Sequence, residues 1–300
     1  MNSAGIYSRY TIVALICTLF LAGATDGTLQ AQSSKRVSLE ENISATLEFD
    51  WQAGTVRLDL RCSLDNRQRL SPALRRRCLD RIERLLPRAL IETLSSRPIT
   101  SDTTFGSRFS EDPPFTGHLA ETARKATRSS TFFSQNVSRF QAMYRIPLYP
   151  DIVEPLIGHN KARTPPPLLE YTPTGNYSGI VIYVEEKPPL FGTNRQTQLT
   201  PALFPRILGP DLEPVIERNM VEPETLTQRG MVAFFDHAQI HQVSSRVGEV
   251  PFHTSAEAIF GVQRTDIVVS ARAARRLRAS EHMYSLIREG KIAIVAPLSQ

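Results

Sequence analysis

GTVRLDLRCS, residues 54–63, followed by SPALRRRCLDRIERLLPRAL, residues 71–90, decides the fold class. In the first stretch Val56, Leu58 and Leu60 alternate with Arg57, Asp59 and Arg61, the period of a strand with one buried face. In the second, Ser71 caps a helix and Pro72 sits in its first turn, where a missing N–H costs nothing. Leu74, Cys78, Ile82, Leu85, Leu86, Ala89 and Leu90 then recur at three- and four-residue steps, one apolar stripe. Pro87 interrupts that stripe and predicts a kink or a break into two helices. A half-buried strand feeding an amphipathic helix implies an α+β arrangement.

Outward from this pair, residues 43–51 read as an earlier strand. Residues 115–127 read as a second helix, 135–149 as strand, and 151–157 as a short helix. Pro165-Pro166-Pro167 and Pro173 then mark a stiff extended connector. Beyond it YSGIVIYV, residues 177–184, is a strand signal, with further strands expected at 203–208, 231–235, 255–262 and 266–269. Ser270 caps one helix reaching towards Ile287, Gly290 ends it, and 291–296 is a last strand. The expected organisation is two mixed α/β domains, 32–160 and 177–300, joined by a proline-rich linker over 161–176.

The first 31 residues read as a cleaved signal peptide. Arg9 gives the positive start, TIVALICTLFLA (residues 11–22) the apolar run, and Ala22-Gly23-Ala24 or Leu29-Gln30-Ala31 the cleavage pattern. The run is too short for a membrane span of roughly 20 residues. Cys17 follows Ile16 inside it, which does not fit an acylation site. Export to a periplasmic or outer compartment is therefore expected, and nucleic acid is not expected as a partner. The net charge of +5 suits anionic envelope polymers or lipid headgroups. Cys62 and Cys78 remain, an even pair suited to an oxidising compartment. One reading is a disulfide clipping helix to strand, worth about 3 kcal/mol; the other is two separately buried thiols.

Two sets of residues carry a family resemblance. Ile99-Thr-Ser-Asp-Thr-Thr104, lying between the leucine-rich helix and Tyr144-Arg-Ile-Pro-Leu-Tyr149, resembles the layout of the LPP-twenty family, which includes FlgP-type flagellar disk proteins. Residues 177–184, Pro201-Ala-Leu-Phe-Pro-Arg-Ile-Leu208, Gln228-Arg-Gly-Met-Val232, Arg246-Val-Gly248 and the stretch from Asp266 to Ala274 resemble a module that accompanies such domains. That module is found in exported proteins of spirochaete-like and deltaproteobacterial bacteria. The resemblance implies an envelope or flagellar-motor setting and carries no catalytic signature. There is no lipobox, and the acidic residue after the 177–184 strand is Glu185 or Glu186 here.

Chemistry-bearing motifs are sparse. His237 and His241 have the spacing that places two imidazoles on one helical face, with His253 as a third ligand to be placed, but no glutamate follows His237 as a zincin would require. No G-x-S-x-G, S-x-x-K or P-loop sequence is present. Glu185-Glu186 and Glu222-Pro-Glu224 are the carboxylate clusters available to a hydrolase. The densest feature is basic: Arg67, Arg69, Arg75, Arg76, Arg77, Arg81, Arg84 and Arg88, with a shorter cluster at Arg272, Arg275, Arg276 and Arg278. Arginine favours bidentate anion pairing and interfaces. The expectation is a non-catalytic scaffold or interaction protein without cofactors. Its partners would be itself, envelope or flagellar proteins, or an anionic polymer or headgroup bound at Arg75, Arg76, Arg77, Arg81, Arg84 and Arg88. The alternative is an exported hydrolase whose site is dispersed along the sequence.

Overall fold

The structure, a computed structural model, describes residues 36–64, 71–134, 138–166 and 175–298. The signal segment, Arg67 and Arg69 lie outside the described residues, as does 167–174 of the expected linker.

The alternation over 54–63 becomes β3 (Thr55–Ser63), with Val56, Leu58, Leu60 and Cys62 buried. It is the centre of a five-stranded antiparallel sheet with β1 (Val37–Glu40), β2 (Ile43–Asp50), β4 (Thr127–Phe133) and β5 (Arg139–Pro147), in the order β1-β2-β3-β5-β4. One face is covered by α1 (Pro72–Leu94), whose Leu74, Cys78, Ile82, Leu86, Ala89, Leu90 and Leu94 are buried. Each leucine or isoleucine among them contributes about 1.5–3 kcal/mol on leaving water. Ser71 Oγ accepts from Leu74 N at 3.1 Å, the expected cap.

Of the kink or break expected at Pro87, the break does not occur: the helix runs through it to Leu94. A mid-helix proline costs about 3 kcal/mol, and the buried Leu86, Ala89 and Leu90 around it more than offset that. Two helices follow, α2 (Phe105–Glu111) and α3 (Pro113–Arg124), of which only the second was expected. At seven residues α2 is too short to show periodicity. A capping box between Thr104 and Ser107 fixes its start, and Phe105 packs against Phe109 and Phe115 with centroids 6.0 and 6.4 Å away.

The second sheet has seven strands in the order β8-β7-β11-β10-β6-β12-β9. These are β6 (Ile180–Tyr183), β7 (Ile207–Leu208), β8 (Pro214–Ile216), β9 (Ala233–Phe235), β10 (Phe252–Phe260), β11 (Asp266–Val269) and β12 (Ile292–Val295). The sheet is mixed: β10, β6, β12 and β9 pair in parallel, while β10–β11 and β7–β8 are antiparallel. Every residue of β11 and β12 is buried, as expected of strands covered on both faces.

Four helices complete the second half: α4 (Pro223–Arg229), α5 (Ser244–Val247), α6 (Ala271–Leu277) and α7 (Glu281–Arg288). The single helix expected after Ser270 is thus two. Ser270 caps α6 and Ser280 restarts the chain as α7, its Oγ accepting from Met283 N at 3.2 Å.

Residues 33–300 form one compact unit in which the two sheets share a continuous core. Several contacts join them. Trp51, at the end of β2, stacks on Phe49 at 4.8 Å and leans on Phe234 of β9 at 5.1 Å. Phe204 N donates to Ile99 O at 2.9 Å. The described part of the proline-rich connector is laid against the second half, with Arg163 N donating to Asn219 O at 2.7 Å and His159 Nε2 2.9 Å from Val221 O. Asp266, fully buried, accepts from Arg206 Nε at 2.8 Å, and Arg206 Nη2 also reaches Ser101 Oγ at 2.6 Å.

Candidate functional site

The periodicity that buries one stripe of α1 leaves its arginines on the other faces. Arg75, Arg76, Arg77, Arg84 and Arg88 are exposed and Arg81 is half-buried. They divide by their partners. Arg81 pairs with Glu40 on β1 at 2.5 Å, Arg88 with Glu92 one turn on at 2.5 Å, and Arg75 donates to Thr131 Oγ1 on β4 at 2.9 Å. Glu83, the acid nearest in sequence to Arg84, is taken by Arg128 at 2.7 Å. Arg76, Arg77 and Arg84 form no ion pair among the described residues. The basic patch is therefore half internal wiring and half free charge. On α6, Arg272 and Arg275 are exposed while Arg276 and Arg278 are half-buried, without ion pairs among the described residues.

Beneath the α1 arginines lie the two cysteines. Cys62 on β3 and Cys78 on α1 are both buried, with their sulfurs 3.2 Å apart. Burial, then the hydrogen bond and the charge of Cys78, push the Cys62 pKa up to about 12, against a smaller opposing pull from Arg81. At neutral pH it is a thiol and a poor nucleophile.

The histidines do not assemble. Residues 237–242 form a 3-10 helix, and at three residues per turn a four-residue step separates His237 from His241 by about a third of a turn. Both are exposed, so the face expected from an α-helical spacing does not exist. His253 pairs elsewhere, its Nδ1 3.0 Å from Tyr183 Oη on the adjacent strand. Among the described residues no group of three or more His, Cys, Asp or Glu could hold a metal ion. Glu185 and Glu186 are exposed, and Glu222 and Glu224 accept from Ala162 N at 3.4 Å and Gln228 Nε2 at 3.0 Å.

A second basic site escaped the sequence reading. Arg229 at the end of α4 and Arg246 on α5 bond to each other's backbone: Arg246 Nη1 donates to Arg229 O at 2.7 Å, and Arg229 Nη2 to Arg246 O at 3.1 Å. They line a cleft of about 260 Å³ between the two halves, with Trp51, Tyr149, Gln228 and Ser245. Both arginines sit in stretches, Gln228-Arg-Gly-Met-Val232 and Arg246-Val-Gly248, that had been singled out only as patterns. Their meeting is a product of the fold.

Residues 42–155 match the family model described as Treponema pallidum Tp0624, N-terminal domain, and residues 179–297 match that described as Treponema pallidum Tp0624, second domain. No curated protein matches the chain. The two matches fall on the two sheets and their helices, so the chain carries an N-terminal and a second domain of this spirochaete protein family, in that order and within one mixed α+β unit.

Proposed function

We propose that this chain, built from two Tp0624-type domains, is an exported, non-catalytic interaction protein of the cell envelope that docks an anionic surface through α1. The observation that carries the reading is the trio Arg76, Arg77 and Arg84, exposed guanidinium groups without an ion pair among the described residues, on a helix whose other side is fixed in the core. Guanidinium forks match carboxylate and phosphate groups bidentately, and a rigid helix presents them without a backbone ordering cost. The LPP-twenty resemblance supplies the place, the periphery of the flagellar motor; the apolar run at residues 11–22 supplies the route.

The test is charge reversal of the unpaired arginines, Arg76→Glu, Arg77→Glu and Arg84→Glu together, in the full chain. Envelope fractions from cells should retain the wild type at low salt, release it progressively as salt rises, and retain little of the variant. Circular dichroism should show both folded. A folded variant retained like the wild type at every salt concentration would end the proposal, and cryo-tomography of motors with and without the chain would test its place.

A further inference from the structure

We propose that the cleft between the two halves is a binding site for a small oxyanion, a carboxylate or phosphate group, held by Arg229 and Arg246. This does not rest on the α1 reading, since the residues and the ligand are different.

The first argument is charge. Arg246 is only 9% exposed, yet neither it nor Arg229 makes an ion pair among the described residues, and no acidic side chain lines the cleft. Buried guanidinium groups are ordinarily matched by a carboxylate, because leaving water uncompensated is costly. Here the two cations lie beside each other instead. Glu289 is the acid that acts on Arg229, and it is engaged by Lys291 at 2.8 Å and Ser285 at 2.9 Å. Burial first, and then the charge of Arg229, lower the Arg246 pKa to about 9 despite the opposing pull of Tyr149.

The second argument is hydrogen bonding. A guanidinium has five N–H donors. Arg246 donates to Arg229 O and, at 2.8 Å, to Gly230 O, while its buried Nε has no partner. Tyr149 Oη, set against Gly230, also has no protein partner among the described residues. Ser245 lies at the exposed rim, its hydroxyl already donating to Gln242 O at 2.6 Å. Donors are in surplus and acceptors are short, the composition of an anion site. The volume lies below the roughly 300–1,000 Å³ of drug-sized ligand sites, so the group bound is small.

The competing account makes Arg246 a clamp on the end of α4, whose last carbonyls it holds. A clamp explains two hydrogen bonds. Arg229 returns one such bond to Arg246 O at 3.1 Å, but a mutual clamp does not explain the lack of an acid among the described residues. The two accounts part on whether anions from solution matter.

Thermal unfolding of the full chain, titrated separately with inorganic phosphate and with acetate at constant ionic strength in chloride, tests this. At least one anion should raise Tm saturably; phosphate alone, acetate alone or both then names the ligand chemistry. Arg229→Gln should weaken the apparent affinity roughly tenfold or more, separating the site from the general, unsaturating stabilisation by excluded salts. Ser245→Glu, at an exposed position, places a carboxylate at the cleft. It should raise Tm without added anion and abolish the response, and it serves if Arg229→Gln does not fold. A wild type without a saturable shift overturns the proposal, as does an undiminished response in Arg229→Gln or, where that variant does not fold, in Ser245→Glu.

Discussion

The arginines of α1 and those at the junction of the two sheets have the same chemistry and opposite circumstances. On α1 they are numerous, exposed and hydrated, and their charge is either cancelled by a neighbouring glutamate or left to water. At the junction Arg246 is buried and Arg206 and Arg229 are half-buried, and among the described residues Arg206 is matched by acids while the other two are not. Arg206 is held by the fully buried Asp266. Burial works to lower the Arg206 pKa, but the hydrogen bond and charge of Asp266 outweigh it and the pKa is raised. Arg246 has no such partner and its pKa falls. Density of charge in a sequence therefore marks where a protein meets solvent, whereas unmatched charge in a core marks where something is missing.

That contrast is best broken at its matched member. Asp266→Ala removes the acid from Arg206 and should cost about 3–5 kcal/mol, read from urea unfolding; a loss below about 1 kcal/mol would mean that the pairing does not distinguish the two buried arginines. Arg246→Leu should cost less, about 1–3 kcal/mol, because carbonyls lose donors while an unpaired charge is also removed. A cost as large as that of Asp266→Ala would show that Arg246 is already compensated.

Titration sharpens the same point at Cys62. Its pKa is raised in the folded protein, so the unfolded chain gives up its proton first. Stability contributed by the buried thiol is complete below pH 9 and should decline as pH rises from about 9 towards about 12. In the reduced protein unfolding should grow easier over that window, and Cys62→Ala should flatten the decline. An equally steep decline in the variant would assign it to other groups. Smallest of all, Arg76→Ala, Arg77→Ala and Arg84→Ala should each change stability by no more than about 0.5 kcal/mol.

The sequence made β2, β3, β5 and α1 legible, because alternation in β3 and the stripe of α1 are long enough to reveal their periods, whereas β1 and β4 at the sheet edges went unread. It misplaced what depends on packing. Pro87 was read as a kink or a break because its local cost is visible in the sequence while the packing that keeps one helix through it is not, and α2 passed unseen at seven residues. The exposed arginines of α1 were named in full. The cleft was not, since residues 51, 149, 229 and 246 come together only when the two sheets share a core. The histidine face failed because helix type, and with it the angle between residues four apart, is not written in the spacing.

Tyr149 sits at the seam between the two halves. A Cβ on Gly54, at the β2–β3 turn, would come within 2.8 Å of its ring, and one on Gly230, after α4, within 2.1 Å of its hydroxyl. The ring therefore behaves as a dowel seated between two backbones that both lack the atom that would push it out. Parting the two sheets would have to withdraw that ring from a fit that either backbone, given one more carbon, would not allow.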